Sequence, residues 1–300
     1  MPVSPYEKVI LVVDSNALCH RVKHTMKDLS YHEQRTGIIF GFLNYVLKYA
    51  KMWNTNRFVF CWDSGKSARR SLFPQYKEKR KNNQKNRTSE EEEFYRLSYV
   101  QFGTLRAEVL PSLGFKNNFI QTGREADDII ASVVNTLYAS YHGWKTILLT
   151  SDQDLFQLLD KCDYLSLYSK KARLFTMGDF HQQYNIHPKQ WVEVKAIAGC
   201  STDEVPGVKN VGEDRVIKYL TGKLVKGKIY DSIVSVEGLA IKERNLPLVS
   251  LPMEGTKEFQ MDFDEYFPLQ SFYNVCDKYG FSSFTRGVKL EDWQRLFKME

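Results

Sequence analysis

Two short acidic pieces, Glu125-Ala126-Asp127-Asp128 and Ser151-Asp152-Gln153-Asp154, lie near each other in the chain. The second follows an apolar run, Ile147-Leu148-Leu149, that reads as a buried β-strand with Asp152 at its carboxyl end. The first opens an apolar-periodic segment, from Ile129 through Val134 to Leu137, that reads as a helix. In open α/β sheets, ligands lie in the crevice at the carboxyl ends of the strands. The five carboxylates of these pieces, aimed at one crevice, repel one another unless they share protons or gather divalent cations. Ligands that are all oxygen select Mg²⁺ or Mn²⁺. Two more strand-like runs have the same ending: Val9–Val13 reaches Asp14, and Arg57–Trp62 reaches Asp63. A single Asp at a strand end is as often a turn former or a helix N-cap. Three such ends beside the Glu125 cluster read as one site.

Those positions demand a sheet. Continuous apolar strands over Val9–Val13, Arg57–Trp62 and Thr146–Thr150, with a crossover helix over Gly37–Met52, predict an α/β fold: a mostly parallel central sheet with helices on both faces. A fourth strand is expected over Tyr164–Tyr168. The segment from Ser64 to Arg106 does not read as core. Between Lys66 and Arg87 stand nine Lys or Arg against one acid, Glu78, in a chain whose net charge is only +6. The plain reading is a solvated insertion; the functional one is a basic helical arch that receives a phosphate backbone, with Phe73 and Tyr76 placed to stack. From Glu90 to Leu110 the pattern turns helical, with Phe94, Leu97, Val100, Phe102 and Leu105 on one face. Further on, a helix over Lys189–Ala198, a turn carrying Gly207 and Gly212, and a helix through Ile217 to Leu220 present backbone N–H groups to an anion. An ordinary helix-hairpin connection fits that turn equally well. The five cysteines (Cys19, Cys61, Cys162, Cys200, Cys276) include no CxxC, which argues against a disulfide framework and a zinc ribbon and fits reduced thiols. No apolar segment is long enough to span a bilayer and no signal-peptide core precedes Val9, so a cytoplasmic, non-membrane protein is expected.

On these residues the chain resembles the structure-specific 5′ nucleases: the flap endonucleases, the 5′-nuclease domain of bacterial DNA polymerase I and, nearest in arrangement, the bacteriophage 5′-exonuclease/flap endonucleases. The resemblance runs from Val9 to about Leu220. It rests on Gly123–Asp128, Thr150–Asp154, Asp203 with Pro206-Gly207-Val208 and Val211-Gly212, and Phe73–Lys77 with Arg80. It implies a PIN-like nuclease core over residues 1–185, with the arch over about 64–106, then a helix-hairpin-helix region and C-terminal helices over 186–300. Asp14, Asp63, Glu125, Asp127 and Asp128 match the acids that hold a first divalent ion directly or through water, and Asp152, Asp154 and Asp203 match those reaching a second. Lys77 and Arg80 match the arch cations on the scissile phosphate, and at i,i+3 they would share a helix face. The DNA contacts implied are Arg69, Arg70, Tyr76, Lys81, Gly207, Lys209, Gly212 and Arg215, with the backbone of Val208 and Val211 offered to a potassium ion.

The activity implied is hydrolysis, with two Mg²⁺ or Mn²⁺ ions, of phosphodiesters in 5′-ended, flapped or branched DNA during replication or repair. A monomer working beside a DNA polymerase in a bacterial or phage-infected cytoplasm is expected. Three positions depart from the pattern. Cys200 stands where a second-site Asp is usual, Asn210 replaces a glycine, and Asp214 replaces a lysine, leaving Arg215 as the neighbouring cation. Glu204, beside Asp203, offers a longer arm that is not equivalent to the missing Asp. A catalytically weakened DNA-binding relative and a PIN-type ribonuclease are the competing readings. Eight retained acids argue against the first, because unpaired buried carboxylates are costly; length and the basic arch argue against the second.

Overall fold

A computed structural model describes residues 8–26, 29–166 and 173–299, and only the backbone of Arg80 and Lys81. The three apolar runs form parallel strands: β1 (Val9–Asp14), β2 (Phe58–Trp62) and, after a short edge strand β3 (Asn118–Ile120), β4 (Lys145–Thr150). The expected fourth run is β5 (Asp163–Ser166); its last two residues, Leu167 and Tyr168, lie outside the described residues. The sheet order is β3-β2-β1-β4-β5, with every neighbouring pair parallel. The chain leaves β1 toward β2 and β3, then returns to β4 on the other side. The crevice therefore opens at the carboxyl ends of β1 and β4, where such sheets bind ligands.

Both faces are covered, which is why the strands read as unbroken apolar runs. Val9, Leu11 and Val13 pack with helices α1 (Ser15–Lys23) and α2 (Gly37–Trp53), while Ile10 and Val12 pack with Ile129, Val133 and Leu137 of a later helix. The second part of the arch is α3 (Ser89–Thr104), and the helix after the first acidic piece is α4 (Ala126–Ser140). Of the face expected on α3, Phe102 and then Leu105 are buried and Phe94 and Leu97 half-buried, while Val100 is 49% exposed and Ser98 and Gln101 take the remaining buried places. Gln101 explains the difference: its Oε1 accepts from Ile38 N at 2.9 Å and so satisfies the start of α2, a polar duty that hydrophobic patterning does not register.

Beyond residue 186 the chain adds to several cores. Helices α5 (Trp191–Ala198) and α6 (Glu213–Leu220) bury Trp191, Ile197 and Val216 with Val208 and Val211 of the intervening turn, against Phe156 and Tyr164 at the sheet edge. After α7 (Val236–Val249), an irregular strap crosses back over α4, where Ser132 Oγ donates to Lys257 O at 2.6 Å. The last helices, α8 (Leu269–Tyr279) and α9 (Gly287–Phe297), then add Phe272, Trp293 and Phe297 to the core that holds Phe58 and Phe60.

Candidate metal centre

Three strand ends, those of β1, β2 and β4, carry an acid that also fastens another segment of the chain. Asp14 ends β1 and caps α1: Oδ1 accepts from Ala17 N and Oδ2 from Thr150 Oγ1, both at 2.9 Å. Thr150 in turn accepts from Asp152 N at 3.2 Å, and Asp152 Oδ1 accepts from Asp154 N at 2.8 Å. Asp63 Oδ1 accepts from Ala126 N, the first residue of α4, at 2.8 Å. The capping role and the site role thus fall on the same side chains, and the caps fix where the carboxylates point.

These acids press on one another. Burial, then Asp63, pushes Asp14 up to about 7, against the opposing bonds from Ala17 and Thr150. Burial, then Asp154, lifts Asp152 to about 6. Asp127 is held well above the ordinary carboxylate range by burial and by Asp152, Asp14 and Asp63, with Lys77 opposing. Among the described residues, Asp127 has no hydrogen-bond or ion-pair partner. The structure thus brings Asp14, Asp63, Asp127 and Asp152 to one crevice.

Glu125 and Asp203 lie beside that crevice with a cation between them. Lys77 Nζ is 2.9 Å from Glu125 Oε2 and 3.5 Å from Asp203 Oδ2. The Tyr76 hydroxyl lies 2.9 Å from the same Glu125 oxygen and 3.0 Å from Asp203 Oδ2. Burial raises Glu125, but Lys77, Arg69 and Tyr76 outweigh it and hold the carboxyl below its ordinary value. Among the described residues, the one group of His, Cys, Asp or Glu whose ligand atoms all lie within 4.8 Å of one another is Asp154, Cys200 and Asp203. Burial, then Asp154 and Asp203, pushes the Cys200 thiol up to about 11, so the sulfur keeps its proton near neutral pH. Asp154 is partly committed, since Lys195 Nζ is 2.9 Å from its Oδ1 and 2.8 Å from Glu213 Oε1. Lys195 is barely marked in the sequence. The only signal was one lysine on the apolar face of Trp191–Ala198, where Val194 and Ile197 set the pattern.

Several expected contacts are corrected. Arg69 does not face DNA: it is 2% exposed, and its Nη1 and Nη2 each lie 2.7 Å from an oxygen of Asp128. Asp128, fully buried, also accepts from Met253 N at 2.8 Å and Glu125 N at 3.1 Å, so its oxygens are spent on protein donors and not offered to an ion. Tyr76 is buried with its hydroxyl between two carboxylates, so it offers no ring to a base. Lys77 does not share a helix face with Arg80. It sits at φ +55, just before the helix Glu78–Lys85, with its N–H bonded to Asp203 O at 3.0 Å. The side chains of Arg80 and Lys81 lie outside the described residues. Glu204 does not join Asp203: its carboxylate accepts from Lys79 N and caps the arch helix instead.

In the turn between α5 and α6, Gly207 packs against backbone so closely that a Cβ would fall 2.1 Å from the Ala198 carbonyl. Asn210 takes the left-handed φ of +61, as a replacement for glycine must. Gly212 is the N-cap of α6, Lys209 is exposed, and the Arg215 guanidinium donates to Asn210 O. The Val208 carbonyl accepts from Val211 N at 3.0 Å.

The family described as 5′-3′ exonuclease, N-terminal resolvase-like domain, matches residues 9–185. The 5′-3′ exonuclease of Buchnera aphidicola subsp. Acyrthosiphon pisum is 30% identical over 226 residues, covering 74% of this chain and 72% of that protein. DNA polymerase I of Caldicellulosiruptor bescii is 28% identical over 242 residues, which is 78% of this chain; the chain spans 27% of the polymerase's length. Among solved structures, zinc-bound T5 5′-exonuclease shares the fold with a TM-score of 0.69 and 24% identity, over 82% of this chain and 90% of that one. A T5 D15 flap endonuclease pseudo-enzyme-product complex with DNA and metal ions gives a TM-score of 0.68 at 24% identity, over 82% of this chain and 90% of that one.

Proposed function

The chain belongs to the 5′-3′ exonuclease family, and from that premise we propose that it hydrolyses phosphodiesters near the 5′ ends of flapped or branched DNA. The observation that carries this reading is Asp127, a carboxylate among Asp14, Asp63 and Asp152 without a hydrogen-bond or ion-pair partner among the described residues. The group suits a hard divalent ion because every donor is a carboxylate oxygen. Asp14, Asp63, Asp127 and Asp152 would hold the first ion with Glu125 beside them, and Asp203 with Asp154 would reach a second; Mg²⁺ and Mn²⁺ are the proposed ions. Bound divalent ions supply Lewis-acid activation of water and charge stabilisation at the attacking and leaving oxygens.

The chain's own groups do the rest. Lys77, held at 2.9 Å by Glu125, stands where it can turn toward a phosphate and offset charge as it develops. Arg80 is the proposed second arch cation. Gly207, Lys209, Gly212 and Arg215 would hold the adjoining duplex by its phosphates without reading bases, and the Val208–Val211 backbone is the proposed potassium site. We assign nuclease work to residues 1–185 and the duplex grip to the helices after 186. A monomer acting beside a DNA polymerase in the cytoplasm completes the proposal; no helix of the described residues is long and apolar enough to cross a membrane.

The test uses 5′-flap and recessed-end DNA with Mg²⁺ or Mn²⁺. Asp152→Asn is expected to lose roughly 10²–10³-fold in rate while DNA binding is kept. Equal loss of binding and cleavage rejects metal-centred chemistry. Preference for an RNA flap of the same shape would favour the ribonuclease reading.

A further inference from the structure

A pocket of about 170 Å³ opens beside the metal centre and shares Asp63 and Glu125 with it. Its other wall is the loop Ser64–Ser67 with Arg70, Lys77 and Arg124. Lys77 is tied to Glu125 at 2.9 Å, and Arg124 to Thr256 Oγ1 at 3.0 Å. Arg70 is held differently. Its Nε donates to Tyr76 O at 3.1 Å and its Nη2 to Lys77 O at 3.3 Å, both neutral acceptors, so the guanidinium is fixed in place with its charge unbalanced. Neither Arg70 Nη1 nor Lys66 Nζ makes a hydrogen bond or ion pair among the described residues. Gly65 takes a left-handed φ of +75, and the N–H groups of Gly65, Lys66 and Ser67 donate to no acceptor among the described residues. Successive unspent N–H groups at a left-handed turn form a concavity for anions. Pockets that take whole small ligands run to about 300–1,000 Å³, so this one suits an anionic group and not a nucleoside.

We propose that this pocket is a subsite for a DNA phosphate next to the scissile one, held by Lys66, Arg70 and the N–H groups of Gly65–Ser67. The subsite rests on the nuclease reading, since it takes its place from the metal centre it adjoins. A guanidinium, an ammonium and backbone N–H groups recognise phosphate oxygens alike, whether in a 5′-terminal monoester or an internal diester.

The experiment compares wild type, Lys66→Ala and Lys66→Arg on two recessed-end duplexes of one sequence, one with a 5′-phosphate and one with a 5′-hydroxyl. Lys66→Ala is expected to raise KM about fivefold with kcat little changed, to shift the salt dependence of binding by about one unit of slope, and to be restored by Lys66→Arg. An effect confined to the phosphorylated end identifies the terminal monoester, and an equal effect on both identifies an internal diester. Unchanged KM on both substrates, or a fall in kcat alone, overturns the subsite. DNA affinity of Asp152→Asn with and without Lys66→Ala, read by fluorescence anisotropy, needs no turnover. Should wild type cut nothing, that measurement still decides the subsite while the nuclease reading falls.

Discussion

At Cys200 a single atom type separates this chain from a site made only of oxygen. Its sulfur lies 3.8 Å from Asp154 Oδ2 and 3.0 Å from Thr202 Oγ1, and burial keeps it protonated. A neutral thiol adds almost nothing to a Mg²⁺ ion, which takes oxygen ligands and responds to their charge. Glu204 cannot make up the difference while its carboxylate caps Lys79. Cys200→Asp is therefore expected to lower the Mg²⁺ concentration for half-maximal cleavage, by roughly tenfold on the scale of ligand-sphere changes. In metal-free protein the same change should lower Tm, because a further carboxylate then faces Asp154 and Asp203 unbalanced. A metal titration indistinguishable from wild type would remove position 200 from the second site.

Between elements, the Arg69–Asp128 pair does the joining. Asp128 sits in the first turn of α4, Arg69 at the root of the arch, and Arg69 Nε donates to Leu248 O of α7 at 2.8 Å. Met253 N, in the strap, donates to the same Asp128 at 2.8 Å, so four segments meet on one ion pair. Breaking a buried pair on one side strands a charge, which costs about 3–5 kcal/mol, whereas replacing both partners by apolar groups is often close to neutral. Arg69→Met should thus fall by about that much in urea denaturation, and Arg69→Met with Asp128→Asn should recover part of it, because the amide oxygen still accepts from Met253 N and no charge is left stranded. DNA affinity measured well below Tm should hardly move; a large loss there would return Arg69 to the DNA surface. This pair also lies beyond what local sequence makes legible. The strand-end acids were legible because an apolar run fixes which end an Asp occupies, and the chain order fixes the switch point. Arg69 and Tyr76 stood in a stretch whose charge density speaks for solvent, and nothing local says that one arginine turns inward to a carboxylate 59 positions away. Lys195 was hidden for the converse reason, a charge in an apolar run whose partners, Asp154 and Glu213, lie on other elements.

Across the whole molecule, the arch root and the turn after α5 form one joint: Lys77 N bonds Asp203 O, Glu204 caps Lys79, and Tyr76 packs with Cys200, Val205 and Leu248. The strap from α7 to α8 closes the body on its far side. There Glu265 accepts from Lys116 N at 2.9 Å and Asn117 Nδ2 at 3.3 Å, while Asn117 Oδ1 accepts from Asp262 N at 2.8 Å. Burial pushes Glu265 up to about 7 despite those donors. A carboxyl with a raised value in the fold stabilises the protein fully below its ordinary value, near 4.5, and that contribution is lost as pH rises to about 7. Asp14, Asp127 and Asp152 carry the same sign when metal is absent, so wild type alone cannot separate them from Glu265. Glu265→Gln isolates the strap, because glutamine has the shape of the protonated carboxyl and does not titrate. The glutamine variant should already be slightly ahead at pH 5, and the gap should widen through pH 7 until it is ahead by at most roughly 3 kcal/mol at pH 8. Denaturant curves for the two proteins at pH 5, 6, 7 and 8, in excess Mg²⁺, make the comparison. Parallel curves at all four would mean that Glu265 is already ionised in the fold at pH 5, and that the strap is fastened by its neighbours alone.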